Sequence, residues 1–92
     1  MKHELKSREV RKLDIASTGV VLNIAEGNGR FANLDHVQFL ETAHTHALQC
    51  VLSLDLMLIG GRVATETVKD GKTVLHRICS MLIACRNKLR TG

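Results

Sequence analysis

Apolar residues recur along this chain three and four positions apart, the spacing of a helix face rather than of a strand. Over residues 4–26, Leu13, Ala16, Val20 and Ile24 follow that period, with Val10, Ser17 and Val21 beside them. This predicts a first helix. Gly27 then stands where a left-handed C-terminal cap belongs, and Asn28-Gly29 is a turn pair. Asn33 reads as the N-cap of a second helix over residues 34–59, and Asp35 in its first turn suits the helix dipole. Gly60-Gly61 ends that helix. A third helix follows over residues 63–89. Its Val68, Gly71, Leu75, Ile78, Leu82, Cys85 and Leu89 alternate by three and four, a heptad-like seam widened by Val74 and Met81. Gly71 in that seam marks either a close helix approach or a break at "KDGK". Short connections between long helices favour antiparallel neighbours. The predicted fold class is therefore all-α: an antiparallel up-down helical bundle of three long helices, one domain over residues 1–92.

The second half of the second helix, "ALQCVLSLDLMLI", has ten apolar residues in thirteen. His46, Gln49 and Ser53 form one narrow polar stripe, and most of the remaining circumference is apolar. A helix apolar nearly all round has to be covered on more than one side. Three helices cover only part of it. Leu52, Leu56 and Ile59 are thus expected at an oligomer interface, most simply with a second copy of the chain.

Composition supports the helical class. The chain has no proline, tryptophan or tyrosine and only two phenylalanines, and strong helix formers dominate. No charged n-region precedes an apolar core and cleavage site, so no signal peptide is expected. Gln49, Ser53 and Asp55 interrupt the most apolar run, so no membrane span is expected. The three cysteines, Cys50, Cys79 and Cys85, lie in apolar contexts without a C-x-x-C pair. They read as buried thiols of a cytoplasmic protein. The net charge of +4 comes from the two ends: Lys2, Lys6, Arg8, Arg11 and Lys12 at the start, Arg86, Lys88 and Arg90 at the finish. Basic ends attract a phosphate backbone through counterion release, and Arg30 at the first corner extends the second group.

No motif completes a catalytic set. "NIAEGNGRF" has closely spaced glycines, but a phosphate-binding loop needs a preceding strand and a Gly-Lys-Ser/Thr at the helix start. Here a helix precedes and Arg30-Phe31-Ala32 follows. Glu41 and His44 have the E-x-x-H spacing of a di-iron bundle, which needs a second such motif and two further glutamates. His44 and His46 point roughly 200° apart on a helix and cannot share a metal. His36 and His76 have no evident partner, and burial makes thiols inert. The expectation is no enzyme, no cofactor and no metal. Stacking residues for single-stranded nucleic acid are nearly lacking, with only Phe31 and Phe39, so any nucleic-acid contact is backbone-directed.

At "VVLNIAEGNGRF", followed by "QFLETA", the chain resembles the four-helix-bundle family of 23S rRNA intervening-sequence proteins, which includes the accessory variability determinants of diversity-generating retroelements. Asn23 to Gly27, Gly29, Arg30, Phe39, Leu40 and Ala43 fit the family's N-I-A-E-G-x-G-R and F-L-x-x-A pattern, and Met81-Leu82 fits a later stretch more loosely. The resemblance covers about residues 9–90. It implies a four-helix-bundle-like fold with the first helix missing or very short, since only a basic segment precedes the "NIAEG" helix. Thr45-His46 replaces the family's small Gly-Ser pair, and Gln49 replaces a glutamate. The resemblance further implies a homopentamer that binds RNA or DNA and a reverse transcriptase through basic surfaces, without enzymatic activity. The alternative is a structural oligomer, or a truncated family member, that binds no nucleic acid.

Overall fold

A computed structural model describes residues 2–91, with side chains from Arg8 to Thr91. Three α-helices account for nearly all of it: α1 over Lys2–Asn28, α2 over Asn33–Ile59 and α3 over Thr65–Thr91. The all-helical class holds, and no strand occurs among the described residues. α1 runs two residues past its expected end, and α3 begins at Thr65 rather than at residue 63.

The two corners differ from their sequence reading. Gly27 is no left-handed cap: it lies inside α1 and is buried. Its lack of a side chain serves packing, because a Cβ there would come within 3.0 Å of both Phe39 Cβ and His36 Cδ2 on α2. The left-handed position is Gly61, at φ +67°, the only positive φ among the described residues. There Gly61 N–H donates to the Leu58 carbonyl at 2.9 Å and Arg62 N–H to the Met57 carbonyl at 3.0 Å. This Schellman closure satisfies the carbonyls that the end of α2 leaves open. Asn33 is not the N-cap of α2 either. Ala32 holds that place with extended backbone, and no side chain caps it. Asn33 Nδ2 instead donates to the Leu89 carbonyl on α3 at 3.3 Å. Gly71 breaks nothing. It lies within α3, where a Cβ would stand 2.9 Å from Leu54 Cδ1, so it marks a close approach to α2.

α2 is central. It packs against α1 on one side and α3 on the other, while the backbones of α1 and α3 stay apart. Small residues bring α1 close: Ala16, Val20 and Gly27 are buried against a helix whose Ala43 and Ala47 are fully enclosed. Leu40, Ala43 and Leu82 form the buried centre, with Ile24 of α1 and Ile78 and Leu89 of α3 against it. The α1 contacts fall on His36, Phe39 and His46 of α2, the α3 contacts on Asn33, Glu41, Leu54 and Asp55. At 100° per residue these two sets lie roughly 120° apart around α2. The three helices therefore form a trough with Leu40 on its floor. Across the Cα atoms the molecule measures 49 × 22 × 13 Å, with a radius of gyration of 15.0 Å, against about 12 Å for a compact domain of this length.

Candidate functional site

The trough is a concave feature lined almost wholly by apolar side chains. Its floor is Leu40 and Leu82; Val20, Val21 and Ile24 of α1 form one wall, and Ile78, Met81 and Cys85 of α3 the other. The cleft has a volume of about 580 Å³. Only Asn28, His36 and Lys88 bring polar groups to it. Val21 and Met81 are 66% and 61% exposed on its walls. Groups of this size are normally covered when they line up in a contiguous patch.

A second apolar surface lies on α2. Leu52, Leu56 and Ile59 are exposed, and Leu48 continues their line. The polar stripe beside it differs from the sequence reading. His46 and Gln49 hydrogen-bond to each other at 3.0 Å, but Ser53 is buried. The ring of His46 fills the space over Gly19 of α1. The α1–α2 contact thus encloses part of what reads in sequence as a solvent-facing stripe.

The basic residues divide into free and occupied groups. Arg8, Arg11 and Lys12 are exposed on α1, while the side chains of Lys2 and Lys6 lie outside the described residues. Arg30 stands 4.7 Å over the Phe39 ring and pairs with Glu26 at 3.4 Å. Arg90 pairs with Glu41 at 2.9 Å. Arg86 is half-buried, its Nη2 donating to Asn87 Oδ1 at 3.4 Å. Lys88 is exposed at the cleft rim with no carboxylate partner among the described residues. The second basic group is thus weaker as an anion site than its composition implies, because Arg90 and Arg30 already face carboxylates.

Comparison with family models, with curated proteins and with solved structures gives no match. The residues of "NIAEGNGR" must then be understood from their contacts. Asn23 Nδ2 donates to the Gly19 carbonyl at 2.7 Å, within α1. Glu26 and Arg30 pair across one helical turn. Gly27 allows α2 to approach, and Gly29 N–H closes the corner on the Glu26 carbonyl at 3.2 Å. Each of these roles is structural.

Chemistry-bearing side chains do not converge. Glu41 is taken up by Arg90 rather than by His44, and no group of three or more metal-ligating residues occurs among the described residues. The cysteines correct the expectation of three buried thiols: Cys50 is buried, Cys79 half-buried and Cys85 exposed. Burial pushes the Cys50 thiol above its ordinary range, and the neighbouring Cys79 adds to the shift. Burial also raises Cys79. Both shifts favour the protonated thiol, the less reactive form. No helix among the described residues is long and apolar enough to cross a membrane.

The walls of the cleft were not legible as a site in sequence. A signal exists, however. Ile15–Ala25, "IASTGVVLNIA", is eleven residues without a charge, longer than one packing face of α1 requires.

Proposed function

We propose that this chain is a non-enzymatic, self-associating helical module of the cytoplasm that holds a nucleic-acid backbone through its basic ends. The observation that carries the reading is the uncovered surface. The chain exposes 6488 Å², whereas a compact protein of its mass exposes about 5,300 Å². The surplus of about 1,200 Å² exceeds the roughly 800 Å² per partner that a standard interface buries. Part of the exposed surface lies on large apolar side chains such as Ile15, Val21, Leu52 and Met81, which association would cover.

The contact pattern supports an antiparallel up-down order. Gly27 meets His36 and Gly19 meets His46, while Leu54 meets Gly71 and Glu41 meets Arg90. In that order Arg30 and the Arg86–Arg90 group share one end, and Arg8, Arg11 and Lys12 lie toward the other. Multiplying these groups in an assembly turns weak contacts into a usable polyanion site. The resemblance in "NIAEGNGR" supports the same class, with a reverse-transcriptase-type protein as a further partner and a pentamer as its expected assembly. The pairing of Arg30 and Arg90 with carboxylates favours the alternative, a structural oligomer without nucleic acid. Light scattering combined with anisotropy of a labelled structured RNA across a salt series tests the reading. Oligomers whose RNA affinity falls steeply with salt support it. Oligomers that bind no RNA at low salt leave the structural alternative, and a monomer overturns both.

A further inference from the structure

We propose that the cleft between α1 and α3 is filled by α1 of a second copy, in a two-fold pair where each chain inserts its α1 into the other. The inference rests on the self-association reading, names the surface and the occupant, and puts two-fold pairs in place of the pentamer that the resemblance implies.

The cleft calls for a helix. Its walls belong to two helices whose backbones stay apart, and Leu40 of α2 lies on its floor. A helix laid along it contacts all three, the arrangement of a four-helix core. α1 suits the place better than α3. Val21 faces the cleft, and Ile15 and Leu22, 61% and 56% exposed, continue the apolar surface onto the side turned away from α2. Arg8, Lys12 and Glu26 fall together on one flank, and Arg11 and Asp14 stand on the outward side toward the start of α1. From Ile15 to Ala25 the outward side carries no charge, so this half of α1 is the part that two walls can grip. The corresponding outer side of α3 carries Asp70, Arg77 and Lys88, all exposed, and would have to leave water.

The geometry also closes. α1 is itself a wall of the cleft, so inserting it into the partner brings the partner's α1 into its own cleft. One isologous contact covers both surfaces and leaves no open repeat. Ser17, Thr18 and Ala25, all exposed on α1, are small enough for two copies of α1 to lie close. The surplus of about 1,200 Å² belongs to the whole chain and exceeds the roughly 800 Å² per partner that such an interface needs.

The test uses the full chain at tens of micromolar, with light scattering for mass, circular dichroism for fold and iodoacetamide for Cys85. Val21→Glu and Met81→Lys alter opposite walls at positions exposed in the single chain, so each should keep its helicity. The expected result is a wild-type mass that is an even multiple of the chain, halved or reduced to the monomer by either variant. Cys85, which is exposed in the single chain, should be alkylated at least tenfold more slowly in wild type than in Val21→Glu. A Leu52→Glu variant should retain at least the dimer mass. The proposal is overturned, with self-association intact, if both wall variants keep the wild-type mass, if Cys85 of the oligomer reacts as a free thiol, or if Leu52→Glu alone yields monomers. A wild-type monomer overturns this proposal and self-association together.

Discussion

Gly27 offers the sharpest check on the packing of α1 against α2. Replacing it with alanine adds one methyl group, which would lie 3.0 Å from Phe39 Cβ and 3.0 Å from His36 Cδ2. Optimal carbon–carbon contact is about 3.5–4.0 Å. The imidazole can swing aside. Phe39 Cβ cannot, since it is fixed to the backbone of α2, so the helices must part. Overpacking of this kind costs about 1–3 kcal/mol. Against it, alanine in a helix interior gains about 0.8–1.0 kcal/mol over glycine. The net loss is therefore centred near 1 kcal/mol. Gly29→Ala is the internal control. A Cβ there meets nothing nearer than the Glu26 carbonyl oxygen at 3.6 Å, and a less flexible unfolded chain favours it by about 0.4–1 kcal/mol. At about 4–8 °C per kcal/mol for a domain of this size, Gly27→Ala should melt at least several degrees below Gly29→Ala. Gly27→Val should melt lower still. Melting followed by circular dichroism at one fixed chain concentration keeps association from moving the comparison. If Gly27→Ala melts at or above Gly29→Ala, the close approach at this corner is wrong.

Other perturbations have different expected sizes. Leu82→Ala removes a buried side chain packed on Leu40 and Ala43 and should cost about 2–5 kcal/mol in a urea titration; a loss below 1 kcal/mol counts against that core. Glu41→Gln breaks the ion pair with Arg90, but both side chains are about half exposed, so the cost should stay under about 1 kcal/mol. Cys50 should resist alkylation until the chain unfolds, and rapid labelling of the folded protein contradicts its burial. Because Cys50 and Cys79 are raised in the folded state, folding holds their protons more tightly. That stabilisation is fully present below the unfolded thiol range and is lost as pH rises from there through the raised folded range. Stability that increases over the alkaline range contradicts the sign.

The sequence carries the helices and their breaks plainly, because a 3.6-residue period and paired glycines act locally. It does not distinguish one kind of glycine from another. Gly27 and Gly61 both follow an apolar run, yet only Gly61 takes a left-handed backbone. Gly27 answers to Phe39 and His36, which come near only after the chain has turned. Asn33 has the chemistry of a cap and is drawn off by the Leu89 carbonyl, fifty-six positions away. Ser53 and Cys85 fail in opposite directions for one reason. α2 lies between two neighbours and encloses even a serine, whereas the cleft side of α3 has no neighbour and leaves a seam cysteine exposed. The candidate site is the same effect on a larger scale. Charge-free Ile15–Ala25 shows that α1 wants cover, but that α3 stands across a gap from it follows only from both helices packing on α2.

Pairing through α1 would also change the electrostatics of the ends. In the proposed up-down order, Arg8, Arg11 and Lys12 of one chain are remote from Arg86, Lys88 and Arg90. A two-fold axis that runs across the helices at the cleft reverses the second copy, so the start of α1 then lies beside the end of the partner's α3. Each end of the pair then gathers Arg8, Arg11 and Lys12 with the partner's Arg86, the partner's Lys88 and the partner's Arg90. Like charges brought together weaken the pair at low salt, and a polyanion laid across them relieves that repulsion. Pairing and nucleic-acid binding are then linked, each strengthening the other by the same factor. Met81→Lys separates this from a simple count of charge. It adds a cation, which alone should tighten RNA binding and steepen the salt slope. If the cation groups are joined by pairing, the variant binds RNA more weakly than wild type and with a shallower slope, despite its extra charge. Anisotropy titrations of both proteins at three salt concentrations decide it, and a Met81→Lys chain that binds more tightly than wild type would show that the two basic groups act independently.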